Sequence, residues 1–80
     1  MAGDFFDVHR VGPTRVAAVI GDVAGHGIES SITAFQAKYL LRVFLRQFRD
    51  PAQAFEELNE QLAAGDRHEE FISCAVVVFD

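Results

Sequence analysis

Eighty residues make at most one small domain, and half of them are hydrophobic, eight being phenylalanine, so a compact core is within reach although only a limited fraction of surface can be buried. A formal charge of −5 argues against a general nucleic-acid binder, which carries a basic face, and no stretch approaches the roughly 18 consecutive apolar residues of a membrane span. The single cysteine, Cys74, rules out an internal disulfide and fits a reducing, cytoplasmic setting; Met1-Ala2-Gly3-Asp4 shows no secretory signal pattern.

Phe5 to Val11 mixes apolar and polar residues as a strand does. Gly12-Pro13-Thr14 is a turn signal, because proline presets φ and glycine bends freely. Arg15 to Ile20 then reads as a second strand, closing a hairpin. Its centre, Val16-Ala17-Ala18-Val19-Ile20, is apolar at every position, which predicts cover on both faces. From about Ser30 the period becomes helical. Ile32, Phe35, Tyr39 and Val43 form one stripe, widened by Leu40, Phe44 and Phe48. Ala34, Ala37, Leu41 and Leu45 add apolar surface elsewhere, so this helix is expected to be buried on two sides. Arg42, Arg46 and Arg49 gather near its C-terminal end, where the helix dipole favours positive charge.

Asp50-Pro51 breaks that helix and suits the cap and first position of the next. The second helix shows Phe55, Leu58 and Leu62 at three- and four-residue spacing, with Glu56, Glu57 and Glu60 facing water, and ends at Ala64-Gly65-Asp66. Glu70 to Phe79 reads as a third strand, with Phe71, Ala75 and Val77 on one side and Ile72, Cys74 and Val76 on the other. The pattern is thus α+β in the order β-β-α-α-β. It predicts an antiparallel sheet with two helices on one face and further cover, a second sheet or a second chain, on the other.

The chemistry concentrates at Ile20-Gly21-Asp22-Val23-Ala24-Gly25-His26-Gly27. Here an apolar run ends in a carboxylate surrounded by glycines, which allow close approach of backbone to a ligand. A carboxylate at a strand tip needs a partner, and a metal ion is the preferred one for Asp22. Asp4 precedes the first strand and Asp22 follows the second, so the antiparallel hairpin brings both to one end of the sheet. The plain alternative for Asp22 is a cap on the following turn, and for Asp4 a solvated carboxylate. Asp7 reads as a surface residue of the hairpin, His9 and His68 as surface histidines, and His26 as a loop histidine bonded to backbone. The arginines read as a solvated helix end or partners of acidic residues. Cys74 reads as a small buried hydrophobe.

Gly3-Asp4-Phe5-Phe6-Asp7, followed by Val19-Ile20-Gly21-Asp22-Val23-Ala24-Gly25-His26-Gly27, resembles the opening of the metal-dependent (PPM, type 2C) protein phosphatases. The bacterial branch named for stage II sporulation protein E is the most similar. Ala52 to Leu62 and Phe71-Ile72-Ser73 to Phe79-Asp80 also look like that branch. The resemblance implies that residues 1–80 are the N-terminal portion of a phosphatase domain, part of an αββα sandwich. It further implies hydrolysis of phosphoserine or phosphothreonine by a water bridging two Mn²⁺ or Mg²⁺ ions. Asp22 then corresponds to the carboxylate bridging both metals, Val23 to a backbone carbonyl ligand, and Asp4 to an acidic residue joining the site partly through water. The expected substrate is a phosphorylated regulatory protein such as an anti-sigma factor antagonist. The family's other aspartates, in a Thr-Asp-Gly type motif and near the domain's end, have no counterpart here, and position 2 is Ala where a second Gly is common. The chain is therefore expected to lack turnover by itself. Two other readings stay open: a module that pairs with a second copy, and a metal-binding regulatory remnant without catalysis.

Overall fold

The computed structural model describes residues 3–25, 27–64 and 71–80. Their elements are β1 (Asp4–Arg10), β2 (Val16–Ala24), α1 (Gly27–Gln47), α2 (Pro51–Ala63) and β3 (Phe71–Phe79). The strands form one antiparallel sheet in the order β1-β2-β3, so the α+β class and the β-β-α-α-β order read from the sequence both hold.

The hairpin turn closes where Gly12-Pro13 predicts. The Val11 amide donates to the Arg15 carbonyl at 2.9 Å, and Arg10 donates to the Pro13 carbonyl at 2.9 Å. β2, however, does not stop at Ile20. It runs to Ala24, paired with β1 as far as Asp4↔Asp22 and with β3 as far as Ala24↔Phe71. Gly21 fails to end the strand because the ring of its cross-strand partner Phe5 lies over it. A Cβ at position 21 would land inside that ring's van der Waals envelope. An aromatic laid over a strand glycine replaces the side-chain packing the glycine lacks.

Burial alternates strictly along β1, with Phe5, Asp7 and His9 inward and their neighbours outward. Phe5, Ala17, Val19 and Val23 form the core with Ala34, Ala37, Leu41, Phe44 and Leu45 of α1 and with Ala54 and Leu58 of α2. The opposite face is open: Phe6 is 72% and Ile20 66% exposed, and Val8, Phe71, Val77 and Phe79 are exposed with them. Among the described residues no second sheet is present to supply the cover expected on this face. Both helices lie on one side of the sheet, and the described chain supplies no layer for the other.

The helices bring a second correction. α1 begins at Gly27 rather than near Ser30, and it is buried on one side only. The stripe Ile32, Phe35, Tyr39, Val43 is exposed, while Ala34, Ala37, Leu41, Phe44 and Leu45 face the core. The stripe turned to the sheet is the one that contains alanines, and Ala37 is fully buried, as is Ala17 of β2. α2 starts as predicted: Asp50 Oδ1 accepts from the Ala52 amide at 3.0 Å and Pro51 opens the helix. That cap is worth about 1 kcal/mol. Glu56 and Glu60 face water, whereas Glu57 is half-buried. Gly65, Asp66 and Glu70, read as the helix stop and the start of β3, lie outside the described residues.

Candidate metal centre

Asp4 is the first residue of β1 and Asp22 the seventh of β2, and the register sets them directly opposite each other. Opposed residues of an antiparallel pair hold their Cβ atoms roughly 4.5–5.5 Å apart. Both side chains emerge on the open face of the sheet. The two carboxyl groups interact: Asp22 is held above the ordinary carboxylate range, first by a hydrogen bond with the Asp4 side chain, then by partial desolvation and by the Asp4 charge. Like charges forced together favour sharing one proton. The predicted meeting of the hairpin's acidic ends is therefore present, with both residues inside the strands instead of flanking them.

Val23 points its side chain into the core. Its amide donates to the Gly3 carbonyl at 2.9 Å. Its carbonyl oxygen lies so close to Gly3 that any side chain at position 3 would strike it. Glycine at position 3 thus lets the head of β1 close onto Val23, one residue from each carboxylate.

The register adds a residue that sequence reading missed. Ser73 of β3 pairs with Asp22 and is exposed on the same face, so Asp4, Asp22 and Ser73 form one cross-strand row. The row lies in a shallow depression of about 740 Å³ walled by Phe6, Ile20 and Ala75. Oxygen donors of this kind fit a hard cation such as Mg²⁺ or Mn²⁺. They fit it incompletely: among the described residues no three His, Cys, Asp or Glu side chains gather into a metal-binding group.

On the helix side of β1, two expectations are overturned. Asp7 and His9 are not surface residues, being only 6% and 7% exposed. Asp7 accepts two hydrogen bonds from Arg42, Nε and Nη2 each at 2.8 Å, a fork geometry that fixes α1 against β1. The Arg42 hydrogen bonds hold the Asp7 carboxyl below its usual value against the opposing effect of burial. His9 Nδ1 stands 3.3 Å from Asp7 Oδ2, but among the described residues neither ring nitrogen has a hydrogen-bond partner. Burial pushes the His9 pKa down, outweighing Asp7, and Arg42 and Arg46 push the same way. His9 is thus a neutral core residue. Arg46 donates to the Arg10 carbonyl at 3.1 Å, so Arg42 and Arg46 serve the helix–strand contact. Burial pushes the Cys74 thiol up, in keeping with an unreactive side chain. His26 and His68 lie outside the described residues.

Among the described residues no helix is long and apolar enough to cross a membrane. Comparison with characterised proteins and with solved structures returns no match. Residues 12–80 match the sequence profile of stage II sporulation protein E (SpoIIE). That span takes in the Gly-Asp-Val-Ala-Gly-His-Gly run, both helices and all of β3. The chain therefore belongs to the stage II sporulation protein E family, a family related to protein phosphatases.

Proposed function

We propose that the chain is the N-terminal portion of a PPM-type serine/threonine phosphatase domain, and that it contributes part of a divalent-metal site. The observation that carries this reading is the opposition of Asp4 and Asp22 on an open sheet face, where the Asp4 side chain holds the Asp22 carboxyl above its ordinary range. Asp4 and Asp22 would hold Mn²⁺ or Mg²⁺, with the Val23 carbonyl as a backbone donor. Two such ions, when bound, neutralise phosphoryl charge and make a water nucleophilic near neutral pH. The residues' own work is to present negative oxygen at fixed spacing, on strands whose register Phe5 and Gly21 stabilise. Ser73 lies in the same row and would hydrogen-bond a water or a carboxylate of the site. The substrate would be a phosphoserine or phosphothreonine of a regulatory protein, such as an anti-sigma factor antagonist, in the cytoplasm.

Two carboxylates leave a two-metal centre short of ligands, so the 80-residue chain would bind Mn²⁺ weakly and show no phosphatase turnover. Calorimetric titration with Mn²⁺ tests the site. Binding lost in Asp22→Ala and weakened in Asp4→Ala supports it, and identical isotherms for all three proteins overturn it. Assay on a phosphoserine peptide with Mn²⁺ tests the second part, since sustained metal-dependent hydrolysis would show that the site is complete. Weak binding without hydrolysis is also what a regulatory, non-catalytic metal site would give, and the shortage of ligands favours that second reading for the chain by itself.

A further inference from the structure

A carboxylate that holds a metal ion is itself held, because its remaining lone pairs take hydrogen bonds from neighbouring donors. Asp22 sits at the centre of its row, with Asp4 of β1 on one side and Ser73 of β3 on the other. Its other outward-facing neighbours among the described residues are Ile20 and Ala24 on its own strand, Phe6 on β1, and Phe71 and Ala75 on β3. None of these has a side-chain donor. Ser73 carries the one hydroxyl group in β3.

The register also decides which carboxylate that hydroxyl can reach. Directly opposed Cβ atoms lie roughly 4.5–5.5 Å apart, and the serine and aspartate oxygens extend into that gap far enough to hydrogen-bond. Asp4 is two strands from Ser73, roughly 9–10 Å away, beyond a hydroxyl's reach. Asp22 therefore has an acid on one side, where a cation would sit, and a donor on the other. A hydroxyl rotates to suit its acceptor, so it can orient the carboxylate without adding charge to the site.

We propose that Ser73 is a positioning residue of the metal site: its hydroxyl donates to one Asp22 carboxylate oxygen and leaves the other turned to Asp4 for the cation. The inference rests on the metal reading of Asp4 and Asp22 and adds to it a donor from the neighbouring strand. Ser73 acts through Asp22 and touches no reacting group. Threonine, with the same hydroxyl, should serve in its place, and alanine should not.

Mn²⁺ affinity of the 80-residue chain, followed by the electron paramagnetic resonance signal of the free ion, tests this without any measurement of turnover. Ser73→Ala should weaken binding about tenfold, the lower end of the usual loss when such a partner is removed. Ser73→Thr should bind as the parent does. Ala75→Ser in the Ser73→Ala background should stay as weak as Ser73→Ala, because position 75 pairs with Ile20 and lies outside the row. Without metal, all four proteins should melt alike, as exposed substitutions do, which separates an effect on the site from an effect on the fold. Parent-like binding by Ser73→Ala, with binding still lost in Asp22→Ala, would overturn the role of Ser73 and leave the metal reading standing. Binding that Ser73→Thr fails to keep, or that Ala75→Ser restores, would overturn it equally. A parent chain that binds no Mn²⁺ would overturn the metal reading, and this inference with it.

Discussion

Asp22 costs the folded chain stability, and the sign of that cost is testable. Its folded pKa is raised, so its favourable contribution is fully present below the unfolded value of 3.8 and is lost as pH rises through the raised value. Above that value the fold carries an Asp22 carboxylate directly opposite Asp4. Asp22→Asn should raise the melting temperature at pH 7 and change it little at pH 3, followed by circular dichroism. A lower melting temperature at pH 7 would mean that Asp22 is a structural cap. Mn²⁺ should stabilise the parent chain by mass action and leave the variant unmoved. His9 works with the opposite sign. Its pKa is lowered in the fold, so the unfolded chain takes up the proton first, and stability falls as pH drops below about 6.5. Asp7, also lowered, adds a further loss only below 3.8. His9→Leu should flatten the upper part of this acid limb, the part that begins near pH 6.5, and leave the part below 3.8 in place.

The elements most exposed to single changes are those where one residue bridges two of them. Gly21→Ala pushes a methyl group into the Phe5 ring and should cost about 1–3 kcal/mol in urea unfolding, the usual range for overpacking. Phe5→Ala/Gly21→Ala should cost less than the sum of the two single losses, since the ring that is struck is then absent. Arg42→Ala leaves a buried Asp7 without its fork and should cost about 2 kcal/mol. These contacts also mark where the sequence was legible. A hairpin joined by Gly12-Pro13 brings residue 4 toward residue 22 whatever follows, so the acidic pair could be read in advance. Ser73 could not, because two helices separate β3 from β2 and nothing local sets their register. Asp7 and His9 alternate with Phe6 and Val8, and either parity offered apolar residues to a core. The two stripes of α1 posed the same choice. Only the packed structure shows that the alanine-bearing stripe and the Phe5 parity are the ones turned inward.

At the scale of the molecule, the chain is a slab. Its principal extents are 38 × 24 × 14 Å, the thin dimension holding one sheet and one helical layer. A domain of two layers can be stable with its outer sheet face solvated when that face is polar. Here it carries Phe6, Val8, Ile20, Phe71, Val77 and Phe79, more contiguous apolar surface than a solvated face normally shows. Two structures could explain such a face: a layer that folds onto it, or a surface the chain leaves bare. They predict different responses to the same substitution. Leu41 is 1% exposed in the buried layer, and Leu41→Ala should cost about 2–5 kcal/mol. Ile20→Thr changes a residue that is 66% exposed, and on a bare face it should move stability by no more than about 0.5 kcal/mol. On a bare face that small effect should persist at every protein concentration. A loss at Ile20 approaching that at Leu41, and growing with concentration, would instead place a second copy face to face on the sheet and over the acidic row.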